Sequence, residues 1–210
     1  GFVLDSEFPV GSAINQSSYK KKFTIGISGK SAHAAVSPEK GINSVKVLGT
    51  IISQLPTGKV ENDSVINLAF ISGGGSTNVI PDYAELKGEN RSYNEERLNE
   101  LIKKIEDCSN TEANKYNATA KIIWEDMYSG YQISENAVCS DIFKSACRKT
   151  KIKPVFVKSL GGSDANRLNK IGMESIVLGL GMKEIHSNNE YILTEDLIKA
   201  YNILYSIAVN

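Results

Sequence analysis

Histidine is scarce in this 210-residue chain, with only His33 and His186 present. Two such distant residues leave no HExxH helix and no His/Cys cluster, and the chain also lacks a GxSxG elbow and a Walker A loop. No local motif by itself establishes catalysis. Cysteine is nearly as rare: Cys108, Cys139 and Cys147 are odd in number and have no CxxC spacing. This argues against a disulfide framework and for reduced thiols in a cytoplasmic protein. Charge of one sign is not in excess either, since 24 basic residues balance 24 acidic ones at a pI near 6.9. The electrostatic footprint of a nucleic-acid or anionic-lipid partner is therefore missing. No apolar run approaches the roughly 18 residues of a membrane span. An initiator Met is absent, and the chain opens on the strand-like run Gly1-Phe-Val-Leu, so the natural N-terminus is expected to lie elsewhere. Without a leader peptide, the sequons at Asn15, Asn62 and Asn117 read as chance.

What is present is globular: 41% apolar and 23% charged residues, in a length suited to one large domain or two small ones. Lys22 to Ser28 alternates, with Phe23, Ile25 and Ile27 on one face, and predicts a half-buried strand. Ser37 and Pro38 predict a helix start, with Ile42, Val45, Leu48, Ile52 and Leu55 at helical steps and a stop at Pro56 and Gly58. Strands are predicted at 64–71 and 83–89, a helix capped by Asn94 carries Leu98, Leu101, Ile102 and Ile105, and a strand follows at 119–127. Strand, helix, strand, strand, helix, strand is the order of a ferredoxin-like, split βαβ sandwich.

After Gly130 the pattern changes to a helix capped by Ser134, a strand at 155–157, a short helix ending at Gly172, a strand at 176–179 and a helix capped by Thr194. That alternation predicts an α/β layer with a parallel sheet. The run Ile176-Val177-Leu178 reads as a strand buried on both faces, and Phe2 to Leu4 reads as another piece of the same sheet. The expected organisation is α/β throughout: a segment at 1–17, a ferredoxin-like domain inserted at 18–129, and the remainder of an incomplete α/β domain at 130–210.

Several residues stand where chemistry gathers. His33 lies in a small-residue loop after a strand, where it either contacts a ligand or is an ordinary surface histidine. His186 follows a buried strand, on the side of a sheet where ligands bind. Gly161-Gly-Ser-Asp-Ala-Asn opens a helix, so its amides face an anion or simply form a turn with an Asp cap. Arg91 at a strand end is either a bidentate carboxylate partner or a solvated side chain. Asp5, after Phe2-Val-Leu, either ligates a metal or caps a turn. The Gly73–Gly75 run with Ser76, Thr77 and Asn78 reads as a flexible turn.

Taken in order, six stretches resemble one family. They are Phe2-Val-Leu-Asp5, Gly29-Lys-Ser-Ala-His-Ala-Ala with Ser37-Pro-Glu-Lys-Gly-Ile-Asn, Gly74-Gly-Ser-Thr-Asn-Val-Ile-Pro81, Arg91-Ser, Gly161-Gly-Ser-Asp-Ala-Asn and Met182-Lys-Glu-Ile-His-Ser. The chain is similar to the dizinc metallopeptidases that include aminoacylases, glutamate carboxypeptidases and peptidase T, and most so to the peptidase T-like tripeptidase branch. The resemblance implies a lid domain, which also dimerises, inserted into part of a catalytic domain that holds two zinc ions. It implies that Asp5 ligates one zinc and His186 the other, and that His33 reaches the neighbouring subunit's site to help hold an oxyanion. Asn78 and Arg91 would bind substrate, Arg91 at its terminal carboxylate. Gly162, Ser163 and Asp164 would line the pocket, Asp164 facing a free amine. The implied reaction is hydrolysis of short peptides by metal-activated water.

The family's His-x-Asp stretch, bridging Asp and Glu-Glu pair are absent from these residues, and Asp5 with His186 cannot complete a four-coordinate site. The expectation is therefore a C-terminal fragment, inactive alone, of a zinc aminopeptidase that forms a homodimer through the lid. Against it stand a non-catalytic dimerisation or small-molecule binding module and, within the family, an aminoacylase or carboxypeptidase.

Overall fold

The computed structural model describes residues 1–61 and 63–209, so the sequon residue Asn62 lies outside the described residues. In chain order the elements are β1 (Phe2–Leu4), β2 (Ser12–Ser17), β3 (Tyr19–Ser28), β4 (Ala32–His33), α1 (Ser44–Gln54), β5 (Gly58–Val60), β6 (Ser64–Gly73), β7 (Val79–Ile80), β8 (Tyr83–Ser92), α2 (Glu95–Lys115), β9 (Thr119–Tyr128), β10 (Tyr131–Gln132), α3 (Val138–Lys149), β11 (Val155–Ser159), α4 (Asp164–Lys170), β12 (Ile176–Leu178) and α5 (Thr194–Ala208). They form two compact units, one built from Tyr19–Met127 and the other from Gly1–Ser18 together with the chain from Tyr128 onward.

The Tyr19–Met127 unit is the ferredoxin-like sandwich. Its sheet runs β5-β6-β8-β3-β9, and β8 pairs antiparallel with both β3 and β6. The alternation in β3 puts Phe23, Ile25 and Ile27 into the core, where Val47, Leu48 and Ile51 of α1 and Leu101 and Ile105 of α2 meet them. Trp124 of β9 tilts against Phe23 at 5.3 Å between ring centres. The first helix starts later than the sequence suggests. Ser37 makes no side-chain cap, Pro38–Lys40 is only a 3-10 turn, and Ile42 forms a bridge with Lys30. The true cap is Asn43, whose side chain accepts from the Lys46 amide at 3.0 Å. Asn94 caps α2 as expected, accepting from the Arg97 amide at 3.0 Å.

The second unit corrects the expectation of a parallel sheet. β1 runs parallel to β12 and β11 parallel to β2, but β12 and β10 are antiparallel to β2. The central strand β2 was not legible in the pattern, because Ser-Ala-Ile-Asn-Gln-Ser has neither apolar alternation nor β-branched enrichment. It is nonetheless almost wholly buried, and two of its polar side chains find internal partners: Asn15 donates to the Ile133 carbonyl at 2.9 Å and Ser17 to the Gly161 carbonyl at 2.8 Å, whereas the buried Gln16 Oε1 has none among the described residues. Ile176, Val177 and Leu178 are buried as their run predicts, and Phe143 of α3 meets Phe156 of β11 edge-on at 5.8 Å.

Two further caps differ from expectation. Ser134 sits in a turn ahead of α3, where its hydroxyl accepts from the Asn136 amide and its carbonyl from the Ser140 hydroxyl, at 3.1 and 2.8 Å. Thr194 is the first residue inside α5 and makes no cap.

One glycine fixes the core of the Tyr19–Met127 unit. A Cβ at Gly88 would stand 2.3 Å from the Phe23 ring and 2.4 Å from the Asn67 carbonyl oxygen, next to the β6 irregularity between Leu68 and Phe70. The backbone oxygen belongs to a paired strand and cannot swing away. Gly88→Ala is expected to destabilise this unit by about 1–3 kcal/mol, read as a lower urea midpoint. An unchanged midpoint would show that the β6 backbone yields.

Candidate active site

The β1-containing unit holds an open cleft of about 330 Å³, on which Asp5, His186, Gly162 and Ser163 converge from three distant segments. Each arrives for a local reason. Asp5 directly follows β1, so the end of a parallel strand delivers its carboxylate. His186 stands in the left-handed backbone region at φ +65°, which is uncommon for a residue with a Cβ. The Glu190 carboxylate accepts the His186 backbone N–H at 2.9 Å, and a bridge between Lys183 and Tyr191 closes the loop around both. Gly162 packs so tightly beneath Tyr128 that a Cβ there would meet the ring at 2.3 Å. Ser163 caps α4 by a reciprocal pair with Asn166, so the cap expected of Asp164 belongs to Ser163. Asp164 is exposed on the first turn of α4 and is not among the cleft's lining residues.

The cleft also contains groups that sequence reasoning missed. Glu7, Ser17, Tyr131, Ser159 and Glu190 line it. Glu190 follows His186 by four residues in one loop, which was the available signal. Burial raises the Tyr131 phenol above its ordinary pKa, so this hydroxyl is a neutral donor and acceptor.

The loop itself is held by Asn166, which is 2% exposed. Its oxygen accepts the Ser163 amide at 3.0 Å, and its amide donates to the Ser129 carbonyl at 2.8 Å and to the Ser17 hydroxyl at 3.1 Å. Ser18 adds a bond to the Leu160 carbonyl at 2.8 Å.

The remaining expected residues lie in the ferredoxin-like unit. Two of them come together. β4 pairs with β7 so that His33 faces Val79, and the Ala34 amide donates to the Asn78 carbonyl at 2.9 Å. The turn expected at 73–78 is thus tied to the two-stranded β4–β7 ribbon that carries His33. Arg91 is elsewhere: it pairs with Lys20 on the β3–β8 ladder, whereas the ribbon lies beyond the opposite end at Ser28 and Tyr83, roughly 27 Å along the strands. Arg91 is also not the merely solvated side chain of one reading. Glu89 accepts from its Nε at 2.7 Å and lies 2.6 Å from its second guanidinium nitrogen, while Lys20 joins the same carboxylate at 2.7 Å. Burial alone would raise the Glu89 pKa, but the hydrogen bonds from Lys20 and Arg91 outweigh it and hold the carboxyl below its ordinary value. The triplet carries a net positive charge.

Among the described residues, no three His, Cys, Asp or Glu side chains are placed to hold one metal ion. Asp5 and His186 share the cleft, but a zinc site takes three or four protein donors, so the donor set here does not complete one. None of the described helices is long and apolar enough to cross a membrane.

Residues 18–117 match the peptidase dimerisation domain of the M20 peptidases. The Bacillus subtilis protein YqjE, itself uncharacterised, is 30% identical over 207 residues, which are 99% of this chain and 56% of that protein. Aminopeptidase PepT from Bacillus cereus superposes with a TM-score of 0.90 at 30% identity, covering 99% of this chain and 56% of that one. A tripeptidase from Staphylococcus aureus does so with a TM-score of 0.94 at 28% identity, covering 99% and 55%. The chain thus spans about half the length of the curated relatives it matches, from 46% to 56%.

Asn166→Ala would strip partners from the half-buried Ser163 amide and Ser129 carbonyl together. A loss of about 3 kcal/mol in the stability of the cleft-bearing unit is expected, measured by urea unfolding. A loss under about 1 kcal/mol would mean that water replaces the side chain.

Proposed function

We propose, from the premise that this chain carries an M20 peptidase dimerisation domain in a sequence similar along its whole length to aminopeptidase PepT, that it is the lid and part of the catalytic unit of a metallopeptidase acting on short peptides with a free amino terminus. The observation that carries this reading is the convergence of Asp5, His186 and the Gly162–Ser163 turn on one cleft. In it Asp5 and His186 each give one ligand to a different ion of a zinc pair. The donors that complete both ions, and the general base, are assigned to residues outside this chain, so the 210 residues alone do not hydrolyse peptides.

Arg91, in a triplet of net positive charge, is the partner of the substrate carboxylate, and Asp164 is assigned to the substrate amine. His33 and Asn78, brought together where β4 pairs with β7, serve as donors to the ligand. Three free thiols, with Cys147 pushed up to about 11 by burial, fit a reducing cytoplasm. The shortage of metal donors favours a second reading, a dimerisation or small-molecule binding module without metal chemistry.

The lid also offers a surface for a homodimer. β5 covers β6 only over Ser64–Ile66, which leaves the rest of that edge unpaired among the described residues, with Phe70 and Ile71 exposed. Val45 of α1 and Ile71 border a groove of about 250 Å³ beside it. Two such edges join about a two-fold axis.

Two measurements test the reading. Native mass spectrometry of the 210-residue chain is expected to show a dimer without two tightly bound zinc ions, and Ile71→Glu to shift it to monomer. Two retained zinc ions per chain would overturn the donor shortage. In the full-length polypeptide, tripeptides are expected to be cleaved in preference to N-acyl amino acids. There Arg91→Ala should lose roughly tenfold more activity on free-acid than on amidated peptides, a difference of about 1.4 kcal/mol. Preference for N-acyl substrates would make the protein an aminoacylase instead.

A further inference from the structure

The His33 ring sits against two backbone donors of its own turn. The β4–β7 ribbon that carries it is pinned on several sides: His33 faces Val79 across β4–β7, its carbonyl accepts the Ser37 amide at 3.2 Å, and Lys30 bridges Ile42 next to it. Gly41 closes the base, where a Cβ would stand 2.7 Å from the Ile80 side chain and 3.0 Å from the Ala32 Cβ. The chain after His33 then turns back over the imidazole, and the amides of Ala35 and Val36 both point at its Nδ1, each at 3.2 Å. An sp² nitrogen that accepts from two N–H groups has its lone pair in use, so the proton of the neutral ring belongs on Nε2. A proton on Nδ1 would instead face two N–H donors and break both bonds.

We propose that the Ala34–Val36 turn is a tautomer clamp that makes His33 a fixed Nε2–H hydrogen-bond donor, aimed at an oxygen of the ligand, and denies it the part of a proton acceptor. The observation is independent of the cleft, but the ligand oxygen rests on the peptidase reading above. Because the ring is exposed and its other nitrogen is fixed by backbone, Nε2–H meets its partner without reorganising, which is what a donor to a developing negative charge requires.

The clamp is tested on the ¹⁵N-labelled 210-residue chain by long-range proton–nitrogen correlation of the two imidazoles at pH 8, with His186→Gln assigning the peaks. The expected result is the Nε2–H pattern for His33; an Nδ1–H pattern or the averaged pattern of a free imidazole overturns the clamp. Val36→Pro removes one donor and is expected to move the pattern toward the average, with amide shifts elsewhere unchanged; an unmoved pattern would overturn that amide's part in it. In the full-length polypeptide, His33→Gln places an amide N–H near the Nε2 position, whereas His33→Glu places only an acceptor there. His33→Glu is expected to lose on the order of 100-fold in kcat and His33→Gln on the order of 10-fold. Equal losses with an intact Nε2–H spectrum would reject the donor role while leaving the peptidase reading to the substrate comparison.

Discussion

The cleft depends on one buried amide. Asn166 joins the end of β2, the Ser129 segment and the first turn of α4 through hydrogen bonds from a side chain that is itself almost completely enclosed. Ser17 and Ser18 extend the same network to the carbonyls of Gly161 and Leu160. The Gly162–Ser163 turn is thus held by side chains rather than by a helix or strand of its own. A polar network of this kind is stabilising only when all of its members are satisfied, which makes it specific for one arrangement of three chain segments. The cleft inherits that specificity.

The same network explains what was legible in the sequence and what was not. The ferredoxin-like unit could be read because its core announces itself by period: Phe23, Ile25 and Ile27 alternate on β3, and Leu98, Leu101 and Ile105 recur on α2. The strand β2 is built on a different principle. Two of its polar side chains, Asn15 and Ser17, hydrogen-bond internally, so a search for apolar periodicity passes over the central strand of its sheet. The mixed direction of that sheet was hidden with it. The caps expected of Ser37, Ser134 and Thr194 do not form, because a Ser or Thr before an apolar run marks a turn or a first helical residue as readily as a cap.

The site shows a similar division. Asp5, His186, Gly162 and Ser163 were singled out from motif stretches, and the fold gathers them on one cleft although Asp5 lies 157 residues before Gly162. Glu190 and Asn166 escaped notice because neither is an unusual residue in its place. Their roles lie in holding the backbone of a neighbour, at a left-handed histidine and at a helix cap. Arg91 was read as a carboxylate partner or a solvated side chain, and the fold gives it the Glu89 carboxylate, shared with Lys20.

The length of the β3–β8 ladder has a consequence for stoichiometry. A tripeptide stretches at most about 11 Å, while the Arg91 end and the His33 end of one sheet are separated by roughly 27 Å. No single short ligand is touched by both ends of one sheet. Under the roles proposed for Arg91 and His33, the two ends of one sheet would therefore attend to two different molecules.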